Sequence, residues 1–249
     1  MVYVMGDIHG NMRRFQSVMD QICLQPEDTL YILGDVIDRH PDGIAILQQI
    51  METPNMETIL GNHEFMMLEA LTGSYACRNW EDGAADAESL QLWYSNGGRP
   101  THQKMKRLSK GARNRIFRYL KALPLERSVE VNGIEYLLIH AAPKSFYPEF
   151  GFGYQNETEF AVWYRNWMVL MPDIPENQII VFGHTPTCFF QSGDPMEIWR
   201  KGQMMGIDCG SGFPNEPEPD VPMGRLACVR LDDMKVFYSD IEEKTGADE

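Results

Sequence analysis

Metal-ligand side chains are concentrated in five short strings across the first three quarters of this chain. They are Gly6-Asp7-Ile8-His9-Gly10, Gly34-Asp35-Val36-Ile37-Asp38-Arg39, Gly61-Asn62-His63-Glu64, His140-Ala141 and Gly183-His184-Thr185. Carboxylate, amide and imidazole donors without a thiolate suit Mn2+, Fe or Zn2+. Singly, each residue has an ordinary alternative: a histidine satisfied in a core, an aspartate capping a helix, a glycine in a turn. Jointly, five strings in order demand too many coincidences, and they predict a metal site.

Such a site requires elements that bring distant residues together. The first three strings follow runs that read as β-strands, at Val2–Met5, Thr29–Leu33 and Glu57–Leu60. Strand ends in an α/β sheet are where ligands are bound. Phe15, Val18, Met19 and Ile22 mark the apolar face of a first helix at 3–4 spacing. Pro41 suits the start of a second, whose buried face is Ile44, Leu47 and Ile50 or Met51. Asp7 to Asp35 is 28 positions and Asp35 to Asn62 is 27. Each interval fits one strand-helix-strand crossover, so three parallel strand tips can deliver their residues to one place.

Residues 73–125 change character. Gly73 to Asp86 is polar, glycine-rich and acidic, and helical patterns follow around Glu88–Tyr94 and Arg113–Lys121. Lys104, Lys106, Arg107, Lys110, Arg113, Arg115, Arg118 and Lys121 form a basic run that reads as a solvated helix face, or else as a docking surface for an anionic substrate. Hydrophobic strands return at Ile134–Ile139, Ile179–Phe182, Met204–Ile207 and Leu226–Leu231. Residues 213–223 enclose an acidic, proline-rich loop (Pro214 to Pro222), and 241–249 is a charged tail.

The order GDxHG, GDxxDR, GNHE, HA, GHT resembles the calcineurin-like metallophosphoesterases, in particular the bacterial and phage form of the serine/threonine phosphoprotein phosphatase branch. The likeness continues in Trp93-Tyr94-Ser95-Asn96-Gly97-Gly98 with Thr101, in Leu123-Pro124, in Trp163-Tyr164-Arg165 and in Ile207-Asp208-Cys209-Gly210. It implies an α/β fold in which two mixed β-sheets form a sandwich flanked by helices, with 73–125 as a helical segment on the substrate side. It also implies two divalent metal ions, Mn2+ foremost with Fe or Zn2+ as alternatives. Asp7, His9 and Asp35 would hold one ion; Asp35 would bridge to a second, held also by Asn62, His140 and His184. A hydroxide shared between them attacks phosphorus in line.

By the same resemblance His63 is the general acid, with Asp38 orienting and charging its imidazole. Arg39 and Arg165 fork onto phosphate oxygens, beside Asn62. Glu64 reads as a partner supporting the ligands, not as a ligand. Two departures bear on substrate preference. His40 stands where the family usually has glycine, which could narrow the pocket beside Arg39 or demand another backbone angle. Ala142-Pro143 follows His140-Ala141 where glycine is commoner. His102 lies outside every motif and reads as structural or solvent-facing.

The 249 residues suffice for a single α/β domain, 1–249, with a substantial core. No apolar run spans a bilayer, and no secretory signal follows Met1. Cys23, Cys77, Cys188, Cys209 and Cys228 are odd in number and lack a C-x-x-C pair, which suits reduced thiols in the cytoplasm. The net charge of −14 argues against nucleic acid as a non-specific partner. It leaves a phosphorylated protein or small phosphoester open as substrate, because two cations against two carboxylates and a hydroxide leave a local charge of about +1. Phosphoprotein hydrolysis leads. Symmetrical dinucleoside polyphosphate hydrolysis and nucleotide or RNA-end phosphatase activity use the same machinery. A non-catalytic scaffold is disfavoured, since every expected ligand and the proton donor are present.

Overall fold

The structure is a computed structural model that describes residues 1–72, 87–170, 173–214 and 222–240. The call on Gly73 to Asp86, the 241–249 tail and most of the proline-rich loop lie outside the described residues.

The chain opens with three strand-helix units: β1 (Val2–Met5), α1 (Met12–Ile22), β2 (Thr29–Ile32), α2 (Gly43–Glu52), β3 (Met56–Thr58) and α3 (Asn62–Thr72). Three helices follow, α4 (Ala87–Ser95), α5 (Arg99–Arg107) and α6 (Lys110–Lys121). The second half contains β4 (Glu126–Val131), β5 (Ile134–Ile139), α7 (Tyr147–Phe150), α8 (Glu157–Trp163) and β6 (Gln178–Phe182). It ends with β7 (Trp199–Lys201), β8 (Met204–Gly206), β9 (Ala227–Arg230) and β10 (Lys235–Tyr238).

Two mixed five-stranded sheets result, ordered β10-β9-β1-β2-β3 and β4-β5-β6-β8-β7. Strand alternation sorts their side chains. Val4, Leu33, Val181, Met205, Ile207 and Val229 meet in one buried cluster drawn from both sheets. Tyr3, Met5, Leu30 and Ile32 instead pack with Phe15, Val18, Ile44 and Leu47 of α1 and α2. On the second sheet Ile139, Ile180 and Phe182 pack with Phe160 of α8 and with Trp167. The architecture is the expected sandwich, covered by helices on both outer faces. Among the described residues no helix is long and apolar enough to cross a membrane.

In the first sheet β1 pairs β2 and β2 pairs β3 in parallel; in the second β5 pairs β6 and β6 pairs β8 in parallel. Each sheet therefore offers three aligned C-terminal strand ends, followed by Asp7, Asp35 and Asn62 in one and by His140, His184 and Asp208 in the other.

The sequence expectations fare unevenly in detail. β3 starts one residue before the expected Glu57 and stops at Thr58, and α2 begins at Gly43 after Asp42, so Pro41 precedes the helix. Helix α5 and strands β4, β7 and β10 carry no strong apolar period. The three strands are edge strands (β7 is Trp-Arg-Lys) and pair on one side only, so half their surface stays polar. In the basic run Lys106, Arg107, Lys110, Arg115 and Arg118 are exposed.

Candidate metal centre and catalytic site

The loops that leave these strand ends are bent sharply. His9, Asp35, Asp38, Arg39 and His184 all have positive φ, from 49° to 74°. Non-glycine residues rarely adopt this region, and such strain gathers at functional sites. Gly61 shows why the loops can converge: a Cβ there would collide with the amide nitrogen and Oδ1 of Asp35. His63 then donates its backbone N–H to Asp35 Oδ1 at 3.0 Å.

Asp7, His9, Asp35, Asp38, Asn62, His63, His140 and His184 are all buried. Three of the histidines share one arrangement. His140 Nδ1 lies 2.7 Å from the Leu33 carbonyl, His184 Nε2 lies 3.3 Å from that of Trp163, and His9 Nδ1 lies 3.3 Å from that of Ile37. A carbonyl only accepts, so those nitrogens carry the protons. The opposite nitrogens present lone pairs. His140 Nε2 and His184 Nδ1 both face Asn62 Oδ1, at 2.9 and 2.8 Å. His140 Nε2 is also 3.5 Å from Asp35 Oδ1, and His9 Nε2 is 3.6 Å from Asp35 Oδ2. Lone pair facing lone pair in a buried site is repulsive unless a cation sits among them. The donor set therefore fits divalent metal. A carbonyl behind each imidazole is the usual way of fixing a ligating tautomer.

Electrostatics point the same way. Burial, then Arg39 for His9 and His140 for His184, hold those two imidazoles well below their ordinary value, and burial lowers His140. Asp7 is raised by burial and by the neighbouring Asp208 and Asp35. Asp208 is pushed up to about 6. Carboxylates packed this closely without enough positive charge take up protons instead.

Two triads lie within 4.8 Å: His9, Asp35 and His63, and Asp35, His140 and His184. Asp35 belongs to both, as a bridging carboxylate would. Asp7 stands outside both, with Oδ1 and Oδ2 accepting the His184 N–H at 3.1 and 3.0 Å. Glu64 supports the loop under Asp35. Oε2 accepts from the amides of Asp35 and Gly61 at 2.9 and 3.2 Å, and Oε1 from Val36 and Ile37 at 2.9 and 3.2 Å.

His63 differs from the other three. Its Nδ1 donates to Asp38 Oδ2 at 2.7 Å, not to a carbonyl. Burial disfavours its charge, but Asp35 and the Asp38 hydrogen bond outweigh that, and its pKa is raised. Asp38 is itself held from behind. Trp93 Nε1 donates to the same Oδ2 at 2.7 Å, and the Asp38 amide donates to Thr101 Oγ1 at 3.0 Å. Gly97 accepts from the Arg39 amide at 3.0 Å. The W-x-x-N-G-G-x-x-T stretch thus braces Asp38 and Arg39.

Arg165 reaches the rim, where Nη1 donates to the His184 carbonyl at 3.2 Å and to Thr185 Oγ1 at 3.4 Å. His40 is not among the residues with positive φ, so it does not adopt glycine's angle, and its ring turns to the Phe213 carbonyl at 3.2 Å. His102 is half-buried, with Nδ1 2.6 Å from the Tyr94 hydroxyl. Asp208 is the site carboxylate to which the sequence reading gave no role; its place just after β8, parallel to β6, was the available signal. Cys23, Cys188, Cys209 and Cys228 are free, and burial pushes the Cys209 thiol upward, away from thiolate chemistry.

Residues 1–188 match the family model for calcineurin-like phosphoesterase. The chain belongs to this family. Over 98 residues it is 38% identical to the symmetrical bis(5'-nucleosyl)-tetraphosphatase of Haemophilus ducreyi, a match covering 36% of each chain. Over 168 residues it is 27% identical to serine/threonine-protein phosphatase 2 of Salmonella typhimurium, covering 66% of this chain and 68% of that one. The fold is similar to that of a Saccharomyces cerevisiae protein serine/threonine phosphatase (TM-score 0.55, 15% identity, 99% of this chain and 81% of that). It is also similar to a metallophosphoesterase from Sphaerobacter thermophilus (TM-score 0.54, 16% identity, 98% and 89%).

Proposed function

We propose that this family member is a two-metal phosphomonoesterase acting on phosphoserine and phosphothreonine, and also phosphotyrosine, in cytoplasmic proteins. One observation carries the reading: of four buried histidines, three offer lone pairs to shared oxygen donors, while the fourth, His63, is paired with Asp38 and favours its charged form. That division separates metal holders from a proton donor. In this reading Asp7, His9 and Asp35 hold one cation, and Asp35, Asn62, His140 and His184 the other. Mn2+ is the metal we favour, with Fe and Zn2+ compatible with the same donors. Bound there, the two cations would supply Lewis acidity and a water that ionises near neutral pH.

The remaining work falls to the protein. Arg39 and Arg165 hold the non-bridging phosphate oxygens, with Asn62 beside them, and orient phosphorus. Asp38 keeps the His63 proton at Nε2 facing the centre, where it passes to the departing alkoxide or phenoxide. The longer match to the Salmonella protein, which covers 66% of this chain, favours phosphoprotein substrates.

A second reading, symmetrical hydrolysis of dinucleoside tetraphosphates, is favoured by the 38% identity to the Haemophilus enzyme. One assay panel in Mn2+ separates them: phosphoserine, phosphothreonine and phosphotyrosine peptides, diadenosine tetraphosphate and 3'-phosphorylated RNA. The proposal expects the highest kcat/KM on phosphopeptides and no turnover in EDTA. Higher kcat/KM on diadenosine tetraphosphate selects the second reading, and undiminished turnover in EDTA refutes both. His63→Asn should lower kcat most for poor leaving groups and keep the metal; full kcat on phosphoserine peptides would remove His63 as the acid.

A further inference from the structure

Arg14 lies in the first turn of α1, four residues after the Gly6–Gly10 string and outside it, yet it is buried. Burying a charge without compensation is costly, so its partners matter. Arg14 Nη1 donates to three main-chain carbonyls, those of Gly210 at 3.3 Å, Ser211 at 2.7 Å and Phe213 at 3.3 Å. No carboxylate is among these acceptors. A carbonyl triad of this kind recovers part of the lost hydration and fixes the path of the segment that supplies it.

That segment follows Asp208, and two further contacts hold it. Ser211 Oγ donates to the Ile8 carbonyl at 3.0 Å, and the His40 ring meets the Phe213 carbonyl at 3.2 Å. Between the tied residues lies Gly212. A Cβ at Gly212 would run into the His9 ring and into Nη1 and Cδ of Arg39. The bare backbone of Gly212 is therefore a wall against which the Arg39 side chain rests. Nearer its base Arg39 also rests on Gly97, where a Cβ would approach its Cγ to 3.0 Å. A long, flexible side chain packed against two glycine backbones along its length loses little further rotamer freedom when it forks onto a phosphate.

We propose that Arg14 is a positioning residue for phosphate binding: by clamping Gly210–Phe213 it holds the Gly212 wall that aims Arg39. The inference rests on the phosphatase reading for Arg39's role, but its test does not depend on turnover. His40 adds a second tie to the same segment through the Phe213 carbonyl.

The experiment is a double-mutant cycle of Arg14→Met and Arg39→Ala. It is read by calorimetric binding of inorganic phosphate to Mn2+-loaded protein, by KM and kcat on p-nitrophenyl phosphate, and by Tm. Arg14→Met should weaken phosphate binding and raise KM about tenfold, the scale of one well-aimed charge-assisted contact, with kcat changed much less. Arg14→Lys, which keeps a donor, should recover part of the loss. In the Arg39→Ala background Arg14→Met should add no further loss, because the two act as one unit. Additive losses, or unchanged phosphate affinity in a folded Arg14→Met protein, would overturn the proposal. If Arg14→Met does not fold, Arg14→Lys carries the test: it must weaken phosphate binding in wild type but not in Arg39→Ala. Inactivity of wild type that still binds phosphate through Arg39 counts against the phosphatase reading and leaves the clamp standing.

Discussion

The Trp93 indole donates to Asp38 Oδ2 at 2.7 Å, onto the same oxygen that accepts the His63 Nδ1 proton at 2.7 Å. Asp38 Oδ1 has no hydrogen-bond partner. Two donors on one oxygen divide its negative charge, so Trp93 limits how tightly Asp38 holds the His63 imidazolium. Trp93→Phe removes that competitor and should raise the His63 pKa further, making it a poorer acid. We expect kcat to fall about tenfold, of the order of one such hydrogen bond, and the alkaline limb of the pH profile to move to higher pH. Metal content should be unchanged. An alkaline limb that stays in place would show that Trp93 acts only through packing.

Glu64 satisfies four amides of the loops that carry Asp35 and Asn62. Glutamine in its place accepts through one oxygen and offers an NH2 where two further amides need an acceptor. Glu64→Gln should cost about 2–3 kcal/mol of stability and lower metal affinity ten- to hundredfold, although residue 64 touches no metal in our assignment. Denaturant titration and metal-binding calorimetry measure both. Loss of stability without loss of affinity would detach the loop from the metal centre.

Metal-free protein should lose stability as pH rises above about 6.5. Burial and Asp35 move Glu64 from 4.5 to about 7, so its contribution is full below 4.5 and is lost as pH rises through about 7. His63, raised by Asp35 and Asp38 against burial, adds a contribution present below 6.5 and lost above it. His9, His140 and His184 are depressed, so their effect on stability is complete by 6.5 and they do not oppose this trend. From pH 6.5 to about 7 both groups lower stability as pH rises, and above about 7 only His63 continues to do so, each at no more than ~1.4 kcal/mol per pH unit. Mn2+ should abolish the slope and release protons on binding, since it takes the deprotonated donors. Thermal melts at fixed ionic strength with and without Mn2+ test this. A metal-free Tm that climbs from pH 6.5 to 8 would contradict the carboxylate crowding.

Much of the fold is legible in the sequence because its central strands are predominantly apolar runs. Val2–Met5 and Ile134–Ile139 match the structure residue for residue. Edge strands such as Trp199–Lys201 are not legible, because one neighbour and one solvated face leave no apolar signature. The convergence of Asp7, Asp35, Asn62, His140 and His184 follows from strand order; the intervals of 28 and 27 positions anticipate it for Asp7, Asp35 and Asn62 alone. What each histidine's second nitrogen touches cannot be read from a string: the Leu33, Ile37 and Trp163 carbonyls are ordinary backbone until folding brings them close. Trp93 lay in a motif whose spacing was visible while its target, Asp38, was 55 positions away. Asp208 is hard to pick out in the sequence because its neighbours supply no imidazole, although it follows closely on β8, a strand parallel to β6.

The central claim is that Asp35 stands between two cations. Crystals soaked in Mn2+ and measured at its absorption edge test it directly. The account predicts two anomalous peaks about 3.5–4 Å apart flanking the Asp35 carboxylate, one toward Asp7 and His9 and the other toward Asn62, His140 and His184, with His63 bound to neither. A single peak ligated by His63, or density with no peak beside Asp35, would contradict it.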